Sequence, residues 1–186
     1  MASPTINRSS AGPRIQDQFP EAIINKIPHP SEHRYYNYDG FNPSCKVLEV
    51  GHVKAPGRRA FGVKTIYNRD EAITVCDGAC LYGDIFRPEI SDSKPAPAIL
   101  LWSPYRKSGT GPQNYNSMAP FRTGLALDRT SGYEKFEAPD PAEWAECGYA
   151  VINVNACGVG YSNGVVAFWG NQEAEDIYDV IDWISR

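Results

Sequence analysis

The sequence predicts an α/β sandwich whose sheet begins antiparallel and turns parallel. Three observations predict it. Two apolar stretches flank Asp77-Gly78, a pair suited to a tight hairpin turn. Ala98 to Trp102 (AILLW) and Tyr149 to Val154 (YAVINV) are apolar runs too short for helices, as expected of strands covered on both faces. Helical patterns follow these runs, so strand and helix alternate in the second half of the chain.

Taken in order, residues 1–43 are rich in Pro, Asn, Ser and Tyr and carry neither hydrophobic period. They read as an extended or partly ordered N-terminal arm. Tyr35, Tyr36 and Tyr38 are expected to pin the arm to the domain surface rather than stack bases, since no basic patch accompanies them. The domain proper then spans 44–186. Lys46 to Val53 is expected to open it as a short strand, and Pro56-Gly57 to turn the chain before Arg58 and Arg59. Ala72 to Cys76, a two-residue Asp77-Gly78 turn and Ala79 to Phe86 form the predicted hairpin, closed by Pro88. The AILLW strand runs into Ser103-Pro104-Tyr105-Arg106-Lys107. An insertion of about 106–139 follows, too long for an ordinary connection, and long loops at strand ends shape binding sites. Pro139 and Pro141 open a short helix over Ala142 to Glu146, which leads into YAVINV and a glycine loop.

The last helix is expected to take Asn171 as its N-cap, with Glu173, Glu175 and Asp176 in the first turn, where the helix dipole favours negative charge. Ala174, Ile177, Tyr178, Ile181 and Ile184 recur at offsets of three and four, a single apolar stripe. Such a βα unit asks for another strand next, but the sequence ends at Arg186.

Composition excludes several function classes. At 186 residues and 42% hydrophobic content the chain supports one domain with a real core. A net charge of −4 argues against nucleic acid or an anionic membrane as partner, because both need a basic face. No apolar run approaches the roughly 20 residues of a membrane span, and the N-terminus lacks the apolar core of a signal peptide. Five scattered cysteines make a disulfide framework improbable and a cytoplasmic location the expectation. Cys76 and Cys80 suggest half a metal site. No second pair or histidine follows at ligand spacing, so ordinary thiols are expected, with no metal.

Gly160-Tyr161-Ser162-Asn163-Gly164 fits G-x-S-x-G, the nucleophile elbow of α/β hydrolases. That chemistry needs a strand running directly into the serine and a helix starting directly after it. Neither flank agrees: the apolar run ends at Val154, and Val165 to Gly170 does not open a helix. The elbow's acid and histidine should follow the serine, yet His29, His33 and His52 all precede it. Ser162 is therefore expected to be structural. Gly158, Gly160 and Gly164 fall one residue out of register with the dinucleotide fingerprint, and Asp179 and Asp182 sit in a helix rather than at a strand end. The carboxylates Glu173, Glu175, Asp176, Asp179 and Asp182 are expected to form a solvated helix face.

Four stretches together carry a resemblance. DEAITVCDGACLYGDIFRP is similar to the opening hairpin D-G-x-x-L-x-x-D-x-x-R-P of the X-Pro dipeptidyl-peptidase and cocaine esterase (CocE/NonD) family of serine hydrolases. AILLWSPYRK resembles that family's third strand and the turn after it. PDPAEWAECGYAVINVNACGVGYSNG resembles the segment that usually ends D-x-R-G-x-G-x-S-x-G, and FWGNQEAEDIYDVIDWIS resembles the helix that follows. The match covers about Glu71 to Arg186.

The resemblance implies an α/β-hydrolase-type sandwich, of which this chain is the N-terminal portion, truncated before the nucleophile strand. It implies acyl transfer to water on an ester or an X-Pro amide by a Ser-Asp-His triad without cofactor. The nucleophile, the acid and the histidine would all lie past Arg186, so these 186 residues are expected to be inactive alone. One role carries over to this chain. The tyrosine in the turn after the third strand gives its hydroxyl to the oxyanion hole, and here that position is Tyr105. The substrate of the full-length form would be a small ester or peptide, and oligomeric state stays open. Family members usually have Asp and Arg where this chain has Asn155 and Cys157, which implies a more loosely held loop. An alternative of another class is a non-catalytic binding remnant of a hydrolase fold, and a third is a nucleotide-dependent oxidoreductase.

Overall fold

A single five-stranded sheet organises the chain in a computed structural model that describes residues 40–108, 111–166 and 169–186, with isolated positions 17, 19–21 and 23. Nearly all of the 1–43 arm, with Tyr35, Tyr36 and Tyr38, lies outside the described residues. The strands are β1 (Ser44–Leu48), β2 (Thr65–Thr74), β3 (Cys80–Pro88), β4 (Ala98–Ser103) and β5 (Ala150–Asn155), and across the sheet they run β1-β2-β3-β5-β4. The first three pairings are antiparallel, and β5 pairs with β4 in parallel. The sheet thus turns from antiparallel to parallel where β5 inserts between β3 and β4.

Among the described residues three α-helices accompany it: α1 (Gly111–Ser117), α2 (Pro141–Glu146) and α3 (Asn171–Ile184). Strand alternation sends β-sheet side chains to two cores. On one face Tyr67, Phe86 and Val151 pack with Leu48, Phe61 and Ala142 of α2. On the other Ile73, Leu81, Ile85, Ile152 and Val154 pack with Val180 of α3. The short α2 owes its start to Asp140, whose Oδ1 accepts from the N–H groups of Ala142 (3.0 Å) and Glu143 (3.3 Å), with Pro141 needing no partner there.

Three local expectations about the first three strands are corrected. The first strand is Ser44–Leu48 rather than Lys46 to Val53, because the chain turns at Gly51 (φ 85°). Strand β2 starts at Thr65, well before Ala72, since the polar run Asn68 to Glu71 hides its alternation while a register shift between Asn68 and Glu71 accommodates it. The hairpin loop has three residues, Cys76, Asp77 and Gly78. Only Gly78 is left-handed (φ 84°), the Gly78 N–H donates to Val75 O, and the Val75 N–H donates to Ala79 O.

Helix α3 is capped by Gly170, not Asn171. Its buried face is set by Asp176 and Val180 with Trp183 and Ile184, while Tyr178 and Ile181 of the expected stripe stand 72% and 54% exposed. The carboxylates are also not one solvated face. Asp176 is buried and accepts from Gln172 Nε2 at 2.8 Å, and Glu173 accepts from Trp102 Nε1 at 2.8 Å and from the Trp169 N–H at 2.7 Å. Periodicity alone could not choose between two faces of similar apolar content, and the indole of Trp102 on β4 favours the one that offers Glu173.

Candidate active site

Parallel strands β4 and β5 end side by side, with Ser103 opposite Asn155. In open parallel sheets this carboxyl edge is where ligands bind. Two turns leave it, one after each strand.

The turn after β4 carries Tyr105, which is 43% exposed, its ring edge-on to Phe136 at 5.3 Å between centroids. Arg106 beside it adopts φ 68°, an uncommon state for a residue with a Cβ. Lys107 is then buried at 2% exposure. Its ammonium pairs with Asp70 Oδ1 and with Asp84 Oδ1, the latter at 2.5 Å. Its backbone N–H donates to Asn155 Oδ1 at 2.6 Å.

Both carboxylates are presented by the antiparallel part of the sheet. Asp70 sits in the β2 bulge at φ 53° and accepts from the Asn42 N–H at 2.7 Å. Its own N–H donates to Asp84 Oδ1 at 3.0 Å. Asp84 projects from β3 opposite Asn153, and burial pushes its carboxyl above the usual range against the pull of the Lys107 ammonium. Burial, then the Asp84 carboxylate, pushes the Tyr67 phenol up as well.

The insertion adds a second buried lysine to this edge. Lys135 is 1% exposed, with Nζ 3.4 Å from Leu101 O and 3.3 Å from Val154 O, and burial lowers it to about 7. Its neighbour Glu134 is buried too, accepting from the Gly132 N–H at 2.6 Å and lying 3.9 Å from Arg58. The side-chain amide of Asn153 is wholly buried with neither atom hydrogen-bonded.

The turn after β5 presents nothing comparable. Ser162 is 8% exposed, and its Oγ accepts from the Tyr82 N–H at 3.1 Å and donates to Asn155 O at 3.2 Å. Asn163 exchanges backbone and side-chain bonds with Cys80, and the Gly158 N–H donates to Asn163 O at 2.8 Å. Two glycines are required here. A Cβ on Gly158 would lie 2.6 Å from Val166 N, and one on Gly160 would lie 2.6 Å from Asn155 Nδ2. Asn155 and Cys157, whose departure from the family pattern implied a looser loop, both carry bonds: Asn155 to Lys107, and the Cys157 thiol to Asn163 O at 3.1 Å.

Of the residues singled out in the sequence, Tyr105, Asn155 and Ser162 therefore share one edge. His52 bonds Tyr133 Oη at 2.9 Å on the α2 face, and burial, with Lys46, lowers it. His29 and His33 lie outside the described residues. Cys76 is exposed, its thiol raised to about 11 by Asp179, and the described residues contain no cluster of three metal-ligating side chains. Sequence reasoning missed Lys107, Asp70 and Asp84 as a unit. The available signal was Asp84 beside the apolar Ile85 and Phe86 of β3, a carboxylate that is costly to bury without a cation.

Comparison with known proteins fits this geometry. Two crystal structures of a CocE/NonD family hydrolase from Staphylococcus aureus superpose with TM-scores of 0.59 and 0.56, at 26% and 25% identity, each covering 86% of this chain and 25% of that one. An Aspergillus ustus protein named L-tyrosine:2-oxoglutarate aminotransferase ucdG is 32% identical over 118 residues, 60% of this chain and 21% of that protein. The chain thus spans about a quarter or less of these relatives' own length. Among the described residues no helix is long and apolar enough to cross a membrane. The profile of the X-Pro dipeptidyl-peptidase (S15 family) matches residues 77–186, more than half of the chain. The chain belongs to this hydrolase family, with the mixed α/β sheet of its CocE/NonD members.

Proposed function

We propose that this chain is the oxyanion-side portion of a serine hydrolase that transfers an acyl group from an ester or an X-Pro amide to water. The observation that carries the reading is Tyr105, an exposed phenol in the turn at the carboxyl edge of β4, in a chain of the S15 family. A fixed phenol there donates a hydrogen bond to the oxygen that gains charge when a nucleophile adds to the substrate carbonyl. Loss of one such donor costs about 10²–10³ in turnover.

The nucleophile in this reading is a serine outside the 186 residues, with an acid and a histidine that also lie outside them. Ser162 is structural. Both lone-pair and proton capacity of its hydroxyl are engaged by backbone groups, and the edge offers it no histidine among the described residues. The chemistry runs on side chains, without cofactor or metal. Five free thiols suit a reducing compartment, so we place the protein in the cytoplasm.

The test is the intact mass of the native polypeptide, followed by labelling with a fluorophosphonate. We expect a mass well above 20.6 kDa and one labelled serine outside this segment. Labelling at Ser162 would overturn the assignment. A native mass of 20.6 kDa with no labelling would instead favour the non-catalytic remnant.

A further inference from the structure

Lys107 takes no part in the chemistry above, yet it is held at three points where its turn meets the sheet. Its ammonium meets Asp70 and Asp84, and its backbone N–H meets Asn155. We propose that Lys107 is the positioning residue of the Tyr105 turn, fixing the phenol by anchoring the turn's far end to β2, β3 and β5. The inference rests on the oxyanion reading of Tyr105.

The geometry gives the turn two fixed ends. At one, Ser103 is paired with Asn155 in the parallel ladder. At the other, Lys107 is clamped. Only Pro104, Tyr105 and Arg106 lie between. Proline restricts its own φ and the residue before it, and Arg106 is held at φ 68°. A left-handed residue with a Cβ persists only where its surroundings over-determine it, and the clamp supplies that determination. The same device recurs at Asp70, left-handed in a bulge that turns its carboxylate toward the lysine.

A buried ion pair contributes little net stability over an apolar replacement, but its geometry is narrow. A lysine whose ammonium is shared by two carboxylates and whose backbone N–H is taken by one amide oxygen has little freedom to shift. Positional tolerance matters here, because a misplacement of about 1 Å at a catalytic group costs about 10²-fold in rate. The span from Lys107 to Tyr105 is short enough for the clamp to set the phenol directly.

Asn155 gives the cleanest test, because its substitution loosens Lys107 without leaving a charge unpaired. The probe is 3-fluorotyrosine placed at position 105 and read by 19F NMR. The purified chain should show one narrow line. Asn155→Ala should broaden or split it, Asn155→Asp should restore it by keeping the acceptor oxygen, and Asp70→Asn should broaden it as a second, shape-preserving variant. Unchanged lines in both Asn155→Ala and Asp70→Asn would overturn the inference.

Turnover of an activated ester by the native polypeptide separates the two readings. Tyr105→Phe should lower kcat about 10²-fold. Asn155→Ala should lower it about tenfold at unchanged KM, and the double variant should be no slower than Tyr105→Phe alone. Losses that multiply would overturn the positioning role while leaving the oxyanion role intact. Full turnover in Tyr105→Phe would overturn the oxyanion role, and the 19F lines would still decide the clamp.

Discussion

The two turns at the carboxyl edge of the parallel strands look alike in the sequence and differ in the structure. Each follows an apolar strand, and each contains glycine or proline and one hydroxyl-bearing side chain that invites a catalytic role. After β4 the hydroxyl belongs to Tyr105, which is exposed, while the cation beside it is buried. After β5 the hydroxyl belongs to Ser162, which is buried, while the residues beyond it, Val165 and Val166, are exposed. The first turn spends its polar groups below the surface to hold a functional group above it. The second spends its hydroxyl on the backbone. Asn155 joins the two, since its side-chain oxygen takes the Lys107 N–H and its carbonyl takes the Ser162 hydroxyl. A G-x-S-x-G string is therefore weaker evidence of a nucleophile than the hydrogen bonds its serine makes.

The largest expected effect comes from emptying the first turn of its cation. Lys107→Met leaves Asp84 buried without a counter-charge and Asp70 with only Arg69 Nε at 3.4 Å, and should lower unfolding stability by about 3–5 kcal/mol. Urea denaturation measures it, and a loss as small as that of a surface substitution would mean that water already screens the pair. Ser162→Ala should cost about 1–3 kcal/mol, because the Tyr82 N–H and the Asn155 carbonyl lose their partner. Ester hydrolysis by the native polypeptide should not change. Abolished turnover in a folded Ser162→Ala protein would reverse the comparison between the turns.

A pH experiment sharpens it further. The buried Lys135 amine falls from an ordinary value of 10.5 to about 7 in the folded state. Between those values the unfolded chain binds the extra proton, so stability should rise as pH increases from about 7 toward 10. Below about 7 both states carry the proton and the penalty is constant. Thermal melts of the parent chain against Lys135→Met isolate this slope, which should vanish in the variant. The smallest effect is expected at Asn153. Asn153→Val removes a buried amide that makes no hydrogen bond and should raise stability by about 1 kcal/mol, by the same melts. A loss of stability there would show that the amide is satisfied in solution.

How much was legible depended on the range of the interaction. The hairpin, both parallel strands and the short α2 helix were visible because their signals are local: apolar runs, a turn glycine, and an Asp-Pro start. Tyr105 was visible as a position in a turn after a strand. What held it there was not, because Asp70, Asp84, Lys107 and Asn155 come from four separate stretches of the chain. The orientation of α3 was misread for a related reason. Ile181 is at least as apolar as Val180, and contact with β4 selected the face.

By itself the sequence determined the order of the five strands and of α2 and α3, the acidic character of the chain, and a family resemblance spread over four short stretches. Hydrophobic period and turn chemistry act between near neighbours, so they survive in a one-dimensional string. Only the tertiary structure decided which hydroxyl is presented and which is consumed. That choice depends on burial and on hydrogen bonds between distant residues, as when β5 lies between β3 and β4 and brings Asn155 within reach of both turns.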